Sequence, residues 1–174
     1  MPYAFALRLD EADSAPVTTR LQALAARGIA DDVLRFGLPP RITLAVYPED
    51  ADPTALAATA AALSVQWKRL PVRFAGLGVF PGAPSVLWLM PIATSALLVR
   101  HAQLLARHPA QGHWASGAWV PHVTLSAALP DAAALAAALS LAAEGFQPFE
   151  ATLAHVDLIR TDPPELLFSG QLAG

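Results

Sequence analysis

The stretch WVPHVTLS at residues 119–126 decides the fold, together with a shorter relative, PPRITLA at residues 39–45. Each is a run of β-branched and aliphatic residues that follows a proline, a pattern that predicts a strand with a sharp start. Side chains alternate along a strand, so His122, Thr124 and Ser126 are expected on one face and the aliphatic residues between them on the other.

The earlier stretch predicts the same division. Arg41, Thr43 and Ala45 are expected on its polar face. Its buried face is expected to be aliphatic: Ile42, Leu44 and Val46. A basic side chain two residues from a hydroxyl, on one strand face, suits the binding of an oxyanion. Two such pairs that faced each other would form a site.

Composition excludes several classes of protein. The chain has 174 residues, of which 55% are hydrophobic and 14% charged, so a disordered chain is excluded and a compact fold is expected. A net charge of −3 argues against long nucleic acids as partners and leaves room for a small anion. There is no cysteine, which excludes disulfides, thiolate metal sites and cysteine nucleophiles. We expect a cytoplasmic protein, because the N-terminus lacks the pattern of a signal peptide and a cysteine-free chain fits a reducing compartment. We also expect a monomer.

Residues 74–99 carry no charge and exceed the length of a membrane span. Prolines and a glycine divide this segment, at Pro81, Gly82, Pro84 and Pro91, so a continuous helix is not expected. The pattern predicts two strands joined by a turn, and no membrane partner.

Capping residues predict four helices. The first helix begins at Asp13 or Ser14 and runs to about Arg27, and the second begins at Asp52 and Pro53 and ends before Pro71. The third begins at Thr94 or Ser95, and Pro109 follows its end. The fourth begins at Asp131 and runs to Ala143. The expected inward residues include Leu56, Ala60, Leu63 and Trp67 in the second helix, Leu97, Leu98, Leu104 and Leu105 in the third, and Leu135 and Leu139 in the fourth. Strands are predicted near residues 3–10, 41–47, 72–79, 85–90, 122–126, 149–159 and 166–171, with an irregular segment at 29–40.

The order of these elements repeats. Strand, helix, link, strand, helix, strand occurs over residues 3–79 and again over 85–159. We therefore predict one bilobal α+β domain, residues 1–174, with repeat halves of about 1–82 and 83–174. Each lobe is expected to be an antiparallel-rich sheet covered by two helices. A pseudo-twofold axis would then place both polar strand faces in a central groove.

This pattern resembles the two-histidine (2H) phosphoesterase superfamily, which includes 2′-5′ RNA ligase-like proteins and cyclic nucleotide phosphodiesterases. Its members carry two His-x-Thr/Ser motifs, one in each lobe of a bilobal α+β fold, facing a shared groove. His122-Val123-Thr124 matches the second motif, and residues 76–81, GLGVFP, match its surroundings. The resemblance covers essentially the whole chain.

The first motif departs from the family pattern, because it reads Arg41-Ile42-Thr43. The resemblance implies opening or hydrolysis of a cyclic phosphodiester without a metal or cofactor. One imidazole removes a proton from water, the other protonates the leaving ribose oxygen, and the two hydroxyls hold the phosphate. Arginine stays protonated and transfers protons poorly, although its planar fork matches two phosphate oxygens.

The expected function is therefore a metal-independent 2H-type phosphoesterase for nucleotides or RNA ends, acting on a 2′,3′-cyclic phosphate or a 2′-5′ linkage and impaired by the loss of one histidine. His122, Thr124 and Thr43 are the expected catalytic residues, and Arg41 joins the two threonines in binding phosphate. The expected partner is a small phosphorylated ligand, a nucleotide or a short RNA end. A non-catalytic nucleotide-binding module is the alternative, and a scaffold whose groove binds a protein or nothing is a third. For Arg41 itself, phosphate contact and decay to a surface residue both remain open.

Other residues have two interpretations each. Phe80 and Trp119 are candidates for stacking a nucleobase, against core packing as the alternative. His113 is a candidate replacement for the missing histidine, against a solvated loop residue.

Further polar residues are weighed in the same way. His155 and Asp157 share a strand face and are expected to form a solvent-facing pair. His101 and His108 are expected on one face of the third helix, where two histidines without a carboxylate make a poor metal site, so no metal is expected.

Overall fold

The computed structural model describes residues 2–174. Seven strands form the sheet: β1 Tyr3–Leu9, β2 Arg41–Tyr47, β3 Leu70–Phe80, β4 Ser85–Pro91, β5 Val123–Leu129, β6 Phe149–Thr161 and β7 Pro164–Gln171. Five α-helices accompany them: α1 Ala15–Ala26, α2 Asp32–Phe36, α3 Pro53–Gln66, α4 Ser95–Leu105 and α5 Ala132–Ala143. Short 3₁₀ turns lie at Glu11–Asp13 and Gly112–Trp114.

The sheet is antiparallel throughout, with strand order β2-β1-β6-β3-β4-β5 and with β7 paired to β6. The first residues of β6 pair with β3, and its later residues pair with β1 on one side and β7 on the other. The α+β fold class is confirmed. The sheet has two parts, β2 with β1 and β3 with β4 and β5, and β6 lies between them and joins them into one continuous sheet. The repeat boundary near residue 82 stays a prediction.

Helix starts follow the capping residues that the sequence predicts. The side chains of Asp52, Thr94 and Asp131 each accept a hydrogen bond from a first-turn backbone N–H. The predicted inner residues of α3, including Leu63 and Trp67, are buried. One hydrophobic core joins helix and strand residues from both parts of the sheet.

Two predicted inward leucines are wrong. Leu98 of α4 is exposed, and Leu139 of α5 lies largely outside the core, where Ala138 and Ala142 face inward instead. Because α5 is rich in alanine and leucine on every side, its sequence does not mark one apolar stripe. Small residues on the inner face let the helix approach the sheet closely.

The segment predicted to be irregular contains α2, which the sequence analysis missed. Five residues are too few for a helical pattern to show, and such a short helix depends on tertiary contacts. Gly37 ends α2 with a φ of 72°, in the left-handed region that favours glycine.

The predicted alternation in β2 holds only for its first residues. The pairing of β2 with β1 shifts by one residue, from Ala45 opposite Phe5 to Thr43 opposite Ala6, so Leu44 is an extra residue in a β-bulge. As a result Ala45 is buried, contrary to prediction.

Ser126 was predicted to share the polar face of His122 and Thr124, and that prediction is also wrong. The pairing of β5 with β4 is irregular at this point. The Ser126 side chain is fully buried.

Residues 74–99 form strands and a turn followed by the start of α4, as predicted. Within residues 2–174, no helix is long and apolar enough to span a bilayer.

Candidate active site

The strands that follow or contain the two motifs, β2 and β5, are at opposite ends of the strand order, yet they contact each other. Trp119 connects them, because its indole Nε1 donates a hydrogen bond of 3.0 Å to the carbonyl oxygen of Thr43. The Trp119 ring stacks on His101 with centroids 4.2 Å apart and is only 8% exposed. Trp119 therefore joins the two motifs and leaves little ring surface for a nucleobase.

A cavity of about 220 Å³ lies between β2, β5 and α2. Three of the four motif residues line it: Arg41, Thr43 and Thr124. The rest of its lining consists of Leu21, Asp32, Val33, Phe36, Pro39, Pro40, Val123 and Ala127. His122 is not part of the lining and lies two residues before Thr124, immediately before the first residue of β5.

Both motif threonines are half-buried on the cavity wall. Among the residues that the structure describes, neither the Thr43 nor the Thr124 hydroxyl has a hydrogen-bond partner. A hydroxyl both donates and accepts, so two unpaired hydroxyls on one wall are suited to hold the oxygens of a ligand.

The His122 ring is fixed by a hydrogen bond between its Nδ1 and the carbonyl oxygen of Val120, 2.8 Å apart. A carbonyl only accepts, so Nδ1 carries the proton and Nε2 is left as the acceptor in the neutral ring. Burial lowers the pKa of His122 below its ordinary 6.5, and the bond to Val120 partly opposes this shift. His122 is therefore predominantly neutral at pH 7, with Nε2 free to take a proton.

Aromatic side chains enclose the other sides of this imidazole. The Phe80 ring meets it edge-on with centroids 5.0 Å apart, and the Trp88 ring lies 5.8 Å away. Trp88 in turn lies on Gly78, where an added Cβ would come within 2.3 Å of the indole. Gly78 thus allows Trp88 to lie flat on β3 and to support His122. The alternating glycines of β3 are a sequence signal for such a close approach.

Arg41 occupies the equivalent position on β2. Its Nη1 donates to the carbonyl oxygen of Pro39 at 2.9 Å, and its guanidinium lies 5.0 Å over the Phe36 ring. Burial lowers the pKa of Arg41 to about 10, while the Asp157 carboxylate acts in the opposite direction. The side chain stays charged at neutral pH, and most of its N–H groups are left for a ligand.

A polar cluster that the sequence analysis missed lies beside Arg41. Arg8 of β1 is opposite Arg41 in the pairing register, and its Nε is 2.9 Å from the Asp157 carboxylate. Ser169 of β7 accepts a bond from Arg8 and donates one to Asp157. Asp157 is 2% exposed and pairs with Arg8, so the expected solvent-facing pair with His155 is wrong. The buried negative charge of Asp157 allows Arg8 and Arg41 to lie side by side.

Asp32 is a second residue that sequence reasoning missed. Its two carboxylate oxygens accept hydrogen bonds of 2.8 Å from the Ser126 hydroxyl and from the backbone N–H of Ala127. These bonds dock α2 onto β5 and place a carboxylate in the cavity lining. No local pattern marks this residue, because its partners are more than 90 positions away.

Two of the remaining histidines, His101 and His108, have structural contacts. His101 bonds through Nε2 to the carbonyl oxygen of Trp114, and His108 bonds through Nε2 to the Thr59 hydroxyl. His108 lies beyond the end of α4, so the expected shared helical face is wrong. His113 is exposed in a 3₁₀ turn. Within the described residues, no group of three or more potential metal ligands comes together.

The sequence matches the family model of the 2′-5′ RNA ligase superfamily over residues 8–165. The chain belongs to this superfamily. No curated protein matches the chain.

Solved structures share the fold of this 2′-5′ RNA ligase superfamily member at low identity. The protein TT0787 of Thermus thermophilus is 20% identical with a TM-score of 0.64, over 100% of this chain and 99% of that one. E. coli LigT in its apo form is 15% identical with a TM-score of 0.60, over 99% and 98%. LigT complexed with 3′-AMP is 16% identical with a TM-score of 0.58, over the whole of both chains.

Proposed function

We propose that this chain is a metal-independent phosphoesterase that opens a cyclic phosphodiester on a nucleotide or RNA end, slowly, with His122 as its single proton-transfer group. The observation that carries the proposal is the shared cavity wall. Arg41, Thr43 and Thr124 come from the two ends of the sheet and meet there, and His122 directly precedes the strand that carries Thr124.

The ligand is a small phosphorylated molecule bound at this wall. A guanidinium fork and two hydroxyls offer enough donors for the non-bridging oxygens of one phosphate, and charge-assisted bonds to arginine are the strongest of these. The LigT structures complexed with 3′-AMP and with ATP support a nucleotide as the ligand, since they have the same fold.

The chemistry follows from the state of His122. Its neutral Nε2 accepts a proton from a water molecule as the water oxygen bonds to phosphorus. The bond from phosphorus to one ribose oxygen breaks, and the proton held on His122 returns to that oxygen through solvent. Arg41 stabilises the negative charge that builds on the phosphate oxygens, and the two threonines hold them in place.

One histidine instead of two sets the expected rate. General acid or base catalysis by one residue typically contributes about 100- to 10,000-fold. Arg41 supplies charge but no proton near neutral pH, because even its lowered pKa is about 10. The turnover number is therefore expected to lie well below that of a site with both histidines.

Non-catalytic nucleotide binding is the alternative. The orientation of Arg41, stacked on Phe36 and bonded to Pro39, favours it, because a guanidinium held in this way acts as a fixed charge. Both functions need a phosphate at the same wall, and they differ only in turnover.

The test is hydrolysis of the four nucleoside 2′,3′-cyclic phosphates by the wild type, with His122→Ala as the paired control. The proposal expects slow turnover that falls at least about 100-fold in the variant. Binding of adenosine 3′-monophosphate without turnover would establish the binding module instead. If the protein shows neither binding nor turnover of these nucleotides, both functions are excluded.

A further inference from the structure

The lining of the cavity between β2, β5 and α2 contains two chemically different kinds of group. Arg41, Thr43 and Thr124 supply hydrogen-bond donors. Asp32 belongs to the same lining and presents a carboxylate, which only accepts when ionised. A ligand that matches both kinds of group carries an anionic group and, close to it, a donor.

The Asp32 carboxylate is fixed by two hydrogen bonds, and it can accept more. Oδ1 accepts from the Ser126 hydroxyl and Oδ2 from the Ala127 N–H, each at 2.8 Å. A carboxylate oxygen accepts two hydrogen bonds, so each oxygen retains capacity for one more. This fixed carboxylate repels a phosphate oxygen and attracts a hydroxyl, and so it orients the ligand in the cavity.

The size of the cavity indicates which part of a nucleotide it encloses. About 220 Å³ is below the roughly 300–1,000 Å³ of pockets that enclose a drug-sized molecule. A phosphate and its attached sugar are the parts of a nucleotide that such a volume accommodates. The nearest donor to a phosphate on that sugar is the neighbouring ribose hydroxyl.

We infer that Asp32 accepts a hydrogen bond from the free ribose hydroxyl next to the phosphate, so that the site prefers ribonucleotides to deoxyribonucleotides. In a 2′,3′-cyclic phosphate both ribose oxygens are bonded to phosphorus, and the hydroxyl forms when the ring opens. Asp32 therefore stabilises the ring-opened product. This inference rests on the proposed function, because a phosphate must be bound by Arg41 and the two threonines.

The experiment compares the dissociation constants of adenosine 3′-monophosphate and 2′-deoxyadenosine 3′-monophosphate for the wild type by calorimetry. The two probes differ only in the 2′-hydroxyl, so the base contributes equally. A hydrogen bond to a charged acceptor predicts that the ribonucleotide binds about tenfold more tightly or better. Equal affinities would overturn the inference and leave the proposed function intact. If neither nucleotide binds, both the inference about Asp32 and the proposed function are overturned.

Two variants separate the carboxylate from the docking of α2. Asp32→Asn should reduce the preference to about threefold, since a neutral acceptor is about half as strong, and should tighten the binding of inorganic phosphate because the repelling charge is gone. Ser126→Ala removes one docking bond but keeps the carboxylate, and should retain the tenfold preference. Equal loss of preference in both variants would assign the effect to docking and contradict the inference.

Discussion

The starts of β2 and β5 differ at one position with large consequences. A proline precedes each motif, and each strand carries a threonine on the wall of one cavity, Thr43 and Thr124. Two residues before these threonines are Arg41, the first residue of β2, and His122, the residue just before β5. Equivalent backbone positions thus carry a permanent charge on one strand and a titratable base on the other.

The surroundings of the two residues reinforce this difference. Burial lowers the pKa of both side chains, but the shift leaves His122 neutral and Arg41 charged at pH 7. Phe80 and Trp88 hold the imidazole, whereas Phe36 and the Asp157 charge accompany the guanidinium. In the proposed mechanism, His122 before β5 therefore transfers protons and Arg41 of β2 provides charge.

Replacing the charge with a second histidine gives the largest expected effect. Arg41→His should raise the turnover number for a nucleoside 2′,3′-cyclic phosphate by about 100-fold or more, because a general acid becomes available for the leaving oxygen. Steady-state kinetics at pH 7 measures it. Arg73→His, at an exposed position of β3, is the matched control and should change nothing. If the Arg41→His variant binds nucleotide but its rate is unchanged, the difference in function between β2 and β5 depends on more than this one residue.

The two threonines should contribute alike if the strands share the phosphate. Thr43→Val and Thr124→Val each remove one hydroxyl and should lower the ratio kcat/KM by roughly 10- to 100-fold, less than the loss of an oxyanion donor in a fully active enzyme. Thr18→Val is the control, because that hydroxyl bonds to the Ser14 carbonyl on α1. A loss confined to one variant would place the phosphate on one strand alone.

Support of His122 by the aromatic rings gives a smaller effect. Gly78→Ala places a Cβ 2.3 Å from the Trp88 indole, so the indole must move toward or away from His122. We expect about a tenfold lower turnover number with little change in KM, since a displaced base loses its geometry. Gly76→Ala, which meets only the flexible end of Met90 at 3.2 Å, should retain most activity.

The smallest expected effect concerns the link between the two strands. Trp119→Phe loses the hydrogen bond to the Thr43 carbonyl and should cost about 1 kcal/mol of unfolding free energy, or a few degrees in Tm. The rate should fall severalfold as the strands separate. Trp67→Phe is the control, because it loses a comparable bond to Gln103, and neither residue belongs to the cavity lining. Equal rates in the two variants would make the Trp119 link purely structural.

Much of the fold could be predicted because its signals are local. Asp52, Thr94 and Asp131 marked helix starts, and the proline-led runs marked β2 and β5. The β-bulge at Leu44 could not be predicted, since it depends on how β2 aligns with β1. Ser126 was misplaced for a similar reason, because irregular pairing with β4 changes which face it presents.

The candidate site divides in the same way. Arg41, Thr43 and Thr124 could be grouped from their spacing on two similar strands. Asp32 could not, because its position depends on partners on β5 that are distant in sequence. Arg8 and Trp88 were missed since each lies in an apolar strand, where register alone decides which side chains meet.

The pH dependence of turnover of adenosine 2′,3′-cyclic phosphate by the wild type tests the central claim most directly. Because His122 acts as a base with a lowered pKa, the rate should rise with pH through an apparent pKa below 6.5 and then stay level. A decline is expected only near pH 10, as Arg41 loses its charge. A bell-shaped profile that falls between about pH 7 and 9 would reveal a second proton-transfer group, and absence of turnover at every pH would remove the catalytic role of His122. Either result would contradict a site in which one strand transfers protons and the other supplies charge.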